Sequence, residues 1–313
     1  MSIRNDAATK VGTGLHNVGT AIKAPESYGE TKTQLYNVAV HGTLFLGLVG
    51  ATKIYVVATL LSLSLNPAVL IAFLVSFTVY THNKLTDLNE DAVNNPDRVA
   101  FIKPKKRLFI ALSAGAYLLA LFISFFGGIE AVLLTLFPGV SGVLYSESWL
   151  PVFEADRLKD IFLVNTSFVA ASWAVPVAFL PLAFAGRAAT TASLLVFGFF
   201  FIRTFIAGEV LNVRDAEGDR REGITTLPVL VGVKRTQLVL YGLDALSLCL
   251  IAGASMLGVF SPLHSLALIP AIVYSLCITT SLGTDGTLSH LEMVRDFEYF
   301  IMSLSLSVVV FFF

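Results

Sequence analysis

Charge is scarce in this chain. Of 313 residues, 21 are Lys or Arg and 22 are Asp or Glu, together 14%, against the roughly 25% usual in soluble domains. A water-soluble globule of this length needs charge to cover its surface, so the composition argues against one. The formal net charge of -1 removes the electrostatic basis for nucleic-acid binding. Cysteine is nearly missing as well. Cys249 and Cys277 both lie inside apolar runs, which excludes a disulfide framework and a thiolate metal site. The first thirty or so residues hold no apolar core of the ~7–15 residues that a signal peptide requires. Positions 1–34 are therefore expected to form a polar, cytoplasmic N-terminal tail.

What the chain has in excess is hydrocarbon. Apolar residues make up 55%, Phe alone occurs 25 times, and the mean hydropathy is +0.77. Lipid accepts such a surface, and a spanning helix needs ~20 residues to cross ~30 Å of hydrocarbon. From residue 35 to 313 the chain alternates long uncharged runs with short polar breaks. The runs predict nine spans, at about 36–62, 67–86, 107–126, 129–146, 160–182, 188–214, 235–259, 263–282 and 294–313. The breaks fall at Asn66-Pro67, Gly127-Gly128, Pro181 through Gly186, Ser261-Pro262 and Gly283 through Gly286, where turn chemistry places them. The fourth span carries Pro138-Gly139 and is expected to bend or to share its crossing with a neighbour. The fold class is all-α, a multi-pass membrane bundle of about nine helices around a central cavity. All the basic residues except Lys53, Arg187 and Arg203 fall on one side of that arrangement. The positive-inside rule then makes that side, which carries the N-terminus, cytoplasmic.

Two acidic clusters stand out against this background. The second span ends in N-K-L-T-D-L-N-E-D, with Asn83, Asp87 and Asp91 at i, i+4 and i+8, which keeps them on one face of a continuing helix. The sixth ends in N-V-R-D-A-E-G-D, with Asn212, Asp215 and Asp219 at i, i+3 and i+7. Asp87 and Asp215 are separated by the same number of residues as Asp91 and Asp219, four spans apart and on the same side, as a duplicated helical unit would place them. Oxygen-only sets of Asp and Asn suit hard divalent cations, above all magnesium, whose coordination is usually completed by water and substrate phosphate. Basic residues surround both sets: Lys84, Arg98, Lys103, Lys105, Lys106 and Arg107 near the first, Arg214, Arg220 and Arg221 near the second. Such cations suit a diphosphate. An apolar bundle with this mouth asks for a ligand with a charged head and a greasy tail, a description that an isoprenyl diphosphate fits. Charged residues at span ends are often solvated caps. A repeated cluster is less easily explained that way, because ionisable groups at membrane depth each cost about 2.5–3.5 kcal/mol or more at a helix centre.

At these residues the chain resembles the UbiA superfamily of intramembrane prenyltransferases. N-K-L-T-D-L-N-E-D-A-V-N-N-P-D-R is similar to the family's N-x-x-x-D-x-x-x-D and N-x-P-x-R, through Asn83, Asp87, Asp91, Asn94, Pro96 and Arg98. D-A-E-G-D-R-R-E-G-I-T-T-L-P is similar to its D-x-E-G-D-x-x-x-G-x-x-T-L-P, through Asp215, Glu217, Gly218, Asp219, Gly223, Thr226, Leu227 and Pro228. L-Y-S at 144–146 and R-L-K at 157–159 resemble the segment before the fifth span. Lys84 stands where many members carry a second Asp, V-A-F-I follows Arg98 in place of a proline-containing segment, and an early Arg-Pro is absent. These departures bear on the acceptor.

The resemblance implies that 35–313 is an intramembrane prenyltransferase domain, with its acidic motifs on the cytoplasmic side. It implies two magnesium ions held by Asn83, Asp87 and Asp91 on one wall and by Asn212, Asp215 and Asp219 on the other. Asp87, Asp91, Asp215, Asp219 and Tyr145 are then the catalytic set, with the Tyr145 ring facing the allylic cation. Lys84, Arg98, Lys159 and Arg220 bind the diphosphate. The partners are an isoprenyl diphosphate, a hydrophobic acceptor that is aromatic or a lipid, and the bilayer. Two other readings compete, a transporter that uses intramembrane acids as a cation path and a family member that scaffolds other enzymes without catalysis. Elsewhere, Arg203 and Glu209 on the sixth span are expected to form a structural pair or to support the metal site. Lys53 is expected to snorkel or to line a polar seam.

Overall fold

The computed structural model describes residues 43–86, 96–146, 161–283 and 291–312, with the isolated positions 37 and 88. Among them every regular element is helical and no strand occurs. The elements are α1 Leu44–Leu60, α2 Ala68–Thr86, α3 Pro96–Ile102, α4 Lys106–Ser124, α5 Gly128–Ser146, α6 Val164–Phe184, α7 Thr191–Glu222, α8 Leu227–Val231, α9 Val233–Met256, α10 Pro262–Ser281, α11 Leu291–Val294 and α12 Phe297–Phe312.

Six helical stretches are long and apolar enough to cross a membrane: Ala68–Thr86, Pro96–Tyr145, Val164–Phe184, Thr191–Arg221, Val233–Met256 and Pro262–Ser281. Leu44–Leu60 and Phe297–Phe312 are apolar but shorter. The outward faces are hydrocarbon too. Leu118, Phe122, Phe126, Leu238 and Leu304 are each more than half exposed, a surface that only lipid solvates without penalty.

The breaks are made as turn chemistry requires. Asn66 accepts from the backbone N–H of Ala68 (3.1 Å) and donates to the carbonyl of Pro181 (3.0 Å), tying the start of α2 to the end of α6. Gly128 adopts φ 83° between α4 and α5, a backbone region in which glycine pays no steric penalty. The break expected at Pro181 through Gly186 falls at the far end of that stretch, because α6 continues through Pro176 and Pro181 to Phe184. In the same way α5 continues through Pro138.

Helices adjacent in the chain pack in turn, from α1 on α2 through α4, α5, α6, α7, α9 and α10 to α12, which returns to α1. Contact between α1 and α6 divides this ring. On one side Ile54, Ile71, Ala120, Trp173 and Leu180 form a buried cluster. On the other, Val57, Ala174, Phe199, Phe200, Leu268 and Met302 form a larger one. Successive residues Trp173 and Ala174 of α6 thus serve opposite cores, which makes α6 and α1 the shared wall. Close approach of α1 to α2 depends on Gly50, where an added Cβ would lie 2.7 Å from the Ala72 carbonyl oxygen.

Candidate active site

α7 carries the second acidic motif, and its ends show why the segment is helical. Thr190 and Ser193 form a reciprocal cap at the start, satisfying two donors that would otherwise be orphaned. Gly223, at φ 75°, ends the helix in the left-handed region, with the Ile224 N–H bonded back to the Asp219 carbonyl (2.9 Å). This is the usual chemistry of a helix C-terminus. The 32 residues between these caps span ~48 Å, more than the ~30 Å of a hydrocarbon core. The apolar part of α7 is embedded, and its last turns carry the motif beyond it. Asn212, Asp215 and Asp219 therefore lie on one continuous helical face, as their spacing requires.

Around that face the hydrogen bonds are specific. Arg214 holds Asp215 through two parallel bonds of 2.7 Å each. The Thr226 hydroxyl donates to Asp219 (3.1 Å), which folds the chain after Gly223 back against α7. Glu217 is taken by Arg220 (2.9 Å) and Arg221 on the exposed side. Deeper in, the Thr166 hydroxyl donates to Glu209 (2.6 Å) and accepts from the Asn212 amide (3.2 Å), so α6 orients the first residue of the motif. Gly208 permits this contact, since a Cβ there would lie 2.8 Å from Thr166 Cγ2. Beside Thr166, Asn165 accepts from the Tyr145 hydroxyl (2.8 Å), bringing the end of α5 to the same corner.

The first motif is described in part. Asn83 stands on the last turn of α2, with its carbonyl accepting from the Thr86 hydroxyl (2.9 Å). Lys84 and Arg98 are each buried to 8% exposure. Asp87, Asp91 and Lys159 lie outside the described residues, as does the way in which the two motifs face each other. Among the described residues no group of three or more His, Cys, Asp or Glu side chains converges. The donors that α7 does present, one amide and two carboxylates, are hard oxygens that fit magnesium and not a soft metal.

One turn before Asn83, Tyr80 stacks on Trp173 with ring centroids 5.3 Å apart. The two rings wall a narrow cleft between α1, α2, α5 and α6, with a cavity volume of only about 30 Å3. Its lining is apolar except for Ser76, Thr135, Tyr80 and Lys53. In the other half of the ring Arg203 is wholly buried, bonded to Glu298 through two nitrogens and to Asp244 through a third. Of the two roles expected for Arg203 and Glu209, the direct pair does not form, whereas Glu209 reaches Asn212 through Thr166. Six residues apart on a helix, the two point about 120° away from each other, and each finds its partner on another helix.

The UbiA prenyltransferase family profile matches residues 43–288. The chain belongs to this family. A digeranylgeranylglyceryl phosphate synthase of Methanothermobacter thermautotrophicus is 32% identical over 216 residues, 66% of this chain and 70% of that protein. A UbiA homolog from Archaeoglobus fulgidus bound to GPP and Mg2+ superposes with a TM-score of 0.59 at 17% identity, covering 87% of this chain and 99% of that one. The apo UbiA homolog from Aeropyrum pernix K1 gives 0.67 at 14% identity, covering 85% and 98%. At such identities the structures establish a shared fold. By family this UbiA enzyme is a prenyltransferase, and its apolar helices make it membrane-embedded. The sequence did not single out Thr166, Asn165, Asp244 or Glu298 as partners in the site and its supports. The two acids carried a usable signal, since a carboxylate within an apolar span needs a partner. Thr166 and Asn165 carried none.

Proposed function

We propose that this UbiA prenyltransferase ionises its isoprenyl diphosphate between the cytoplasmic ends of α2 and α7 and delivers the prenyl group to a glycerol-linked lipid that bears a phosphate. The observation that carries the reading is the face of Asn212, Asp215 and Asp219 on the α7 extension, held in register by Thr166 and Thr226 at the end of an apolar bundle. Kinship with a digeranylgeranylglyceryl phosphate synthase supports this choice of acceptor. In this reading α1, α2, α4, α5, α6, α7, α9, α10 and α12 make nine crossings, and the N-terminus and both motifs face the cytoplasm.

Asn83, Asp87 and Asp91 with Asn212, Asp215 and Asp219 would hold two magnesium ions, which when bound neutralise the departing diphosphate. Lys84, Arg98, Lys159 and Arg220 bind the remaining phosphate oxygens. As the allylic C–O bond breaks, the diphosphate leaves with the electron pair. The Tyr145 ring, its hydroxyl tied to Asn165, presents its face to the cation left behind. The bundle keeps out the water that would quench that cation. The acceptor hydroxyl oxygen attacks the prenyl carbon, and its proton passes to a carboxylate of the α7 face.

The test is to incubate membranes carrying the protein with labelled geranylgeranyl diphosphate and a geranylgeranylglyceryl phosphate, then to identify the product by mass. A labelled digeranylgeranyl ether phosphate is expected. Label appearing only in an aromatic product, or in free prenyl alcohol, would overturn the acceptor assignment.

A further inference from the structure

The basic residues near the first motif fall into two groups. Lys84 and Arg98 are buried to 8% exposure, whereas Lys103, Lys105, Lys106 and Arg107 are all exposed. Four cations thus crowd into five consecutive positions, on a turn of 3-10 helix at Lys103–Lys105 and the first two residues of α4. From Pro96 to Ser124 the sequence offers a single acid, Asp97. None of the four side chains makes an ion pair or hydrogen bond among the described residues. Lys105 lies over the Phe101 ring, 4.0 Å from Nζ to the centroid, and Phe101 meets the buried Phe109 edge-on at 5.9 Å, so the turn is braced against α4. Like charges this close repel one another, and a braced turn that holds them together without counter-charges suits an anion from outside.

Two contacts fix the depth of the turn. The Thr78 hydroxyl of α2 donates to the Ser113 carbonyl of α4 (3.0 Å). Ile71 and Ala120, seven residues from that bond in opposite directions along the chain, share a buried cluster, so the two helices run antiparallel. Arg107 therefore lies level with the end of α2 that carries Asn83, each roughly 8 Å along its helix from the Thr78–Ser113 bond. Directly after Arg107, the apolar side chains of Leu108, Ile110 and Leu112 are about half exposed, a surface suited to hydrocarbon. Charge and hydrocarbon meet at Arg107, at the mouth of the bundle.

We infer that the turn at Lys103–Arg107 binds the phosphate headgroups of anionic lipids in the leaflet that holds the acidic motifs, with the lipid chains lying against Leu108, Ile110 and Leu112. Basic clusters at the end of a span attract anionic headgroups, and salt screens that attraction. The occupant is an amphiphile because exposed hydrocarbon continues directly from the charge, which a soluble acidic partner would leave uncovered. The donor diphosphate is the less suitable occupant, since Lys84 and Arg98 are the buried cations beside the first motif and the four on the turn lie on the outer surface. The inference is independent of the acceptor proposed above. It gives the enzyme a preference for the lipid in which the first-motif end of the bundle is seated.

The experiment places a reporter beside the turn, Leu108→Trp, read by the fluorescence it adds over the parent protein in bilayers of dioleoyl phosphatidylcholine. Quenching is followed as dibrominated phosphatidylcholine or dibrominated phosphatidylglycerol replaces that lipid, with no substrate present. With the native turn, phosphatidylglycerol is expected to be enriched about threefold or more over phosphatidylcholine at low salt, and most of the preference to vanish at about 1 M salt. Lys103→Gln, Lys105→Gln, Lys106→Gln and Arg107→Gln together should remove the preference, whereas Arg in place of the three lysines should retain it. Lys234→Gln with Arg235→Gln, which removes two exposed cations at the start of α9, should leave it unchanged. Equal quenching by the two lipids beside the native turn, or a preference that survives the four Gln replacements, overturns the inference. Loss of the preference in the α9 variant does so too, by making the effect one of net charge. A fourfold Gln variant whose donor KM rises about tenfold while its lipid preference stays would assign the cations to the diphosphate and equally overturn it. A thermal unfolding midpoint shared by the variants shows that each is folded.

Discussion

Arg203 and Glu298, 95 residues apart in sequence, meet inside the bundle through two parallel bonds, Nε to Oε1 at 2.7 Å and Nη2 to Oε2 at 2.6 Å. The third arm of the guanidinium takes Asp244, which also accepts from Ser275 at 3.4 Å. One arginine therefore ties α7, α9, α10 and α12 together. A planar fork with several donors makes this arrangement possible, and lysine does not provide one.

Removing the arginine alone strands two buried carboxylates, a loss of about 3–5 kcal/mol for breaking a buried pair. Arg203→Leu is expected to lower the thermal unfolding midpoint of the purified protein sharply, with Arg203→Lys only partly better. The triple replacement Arg203→Leu, Asp244→Leu, Glu298→Leu should recover much of the loss, because no uncompensated charge remains. A triple variant less stable than Arg203→Leu would refute the account.

The proposed metal face of α7 makes a chemical prediction. Asp215→Ala should keep the α7 helix and the Thr226–Asp219 contact while removing a proposed hard-oxygen ligand, and Asp87→Ala removes the one proposed in the first motif. Each is expected to abolish transfer while expression and membrane insertion stay normal. EDTA should stop the wild-type reaction and added magnesium restore it. Turnover that is indifferent to chelation would remove the basis of the mechanism.

What could be read in the sequence was what is local. Apolar runs are contiguous, so a helix lies over each predicted span, and Asn66 and Gly128 mark breaks by their own chemistry. The one-face argument for Asn212, Asp215 and Asp219 needed only that α7 stay helical to Glu222. Pairing across the bundle was not readable. Arg203 had Glu209 as its nearest acid along the helix, yet its partners came from α9 and α12, because only tertiary packing decides which spans are neighbours. Thr166 shows the same limit in a sharper form. A lone threonine in an apolar run gives no sign that its hydroxyl connects Glu209 to Asn212 of the acidic motif.

That hydroxyl can be removed with almost no change of shape. Thr166→Val leaves Asn212 without its contact and Glu209 without its 2.6 Å donor, a cost of about 1–3 kcal/mol for a buried acceptor left unmet. The variant should fold. Its expected deficit is a magnesium concentration for half-maximal rate raised several-fold and kcat lowered about tenfold, the effect typical of losing a group that orients a metal ligand. A magnesium titration of the initial rate checks it. A purely structural role would lower the unfolding midpoint and leave the magnesium dependence unmoved.

The final prediction concerns how tightly the two halves of the ring are set by α1. A Cβ at Gly50 would lie only 2.7 Å from a backbone oxygen of α2, and the neighbouring Ser76 side chain crowds the same space. Backbone cannot yield as a flexible side chain does, so Gly50→Ala must push α1 and α2 apart and is expected to cost about 1–3 kcal/mol, as overpacking does. Gly115 in α4 is the matched control, with nothing within 4 Å of its Cβ position. Gly115→Ala should be neutral or gain about 0.5–1 kcal/mol from helix propensity. Measuring both unfolding midpoints side by side separates close approach of helices from the general effect of glycine in a helix. Equal behaviour of the two variants would show that α1 and α2 are not in the tight contact that the structure assigns to them.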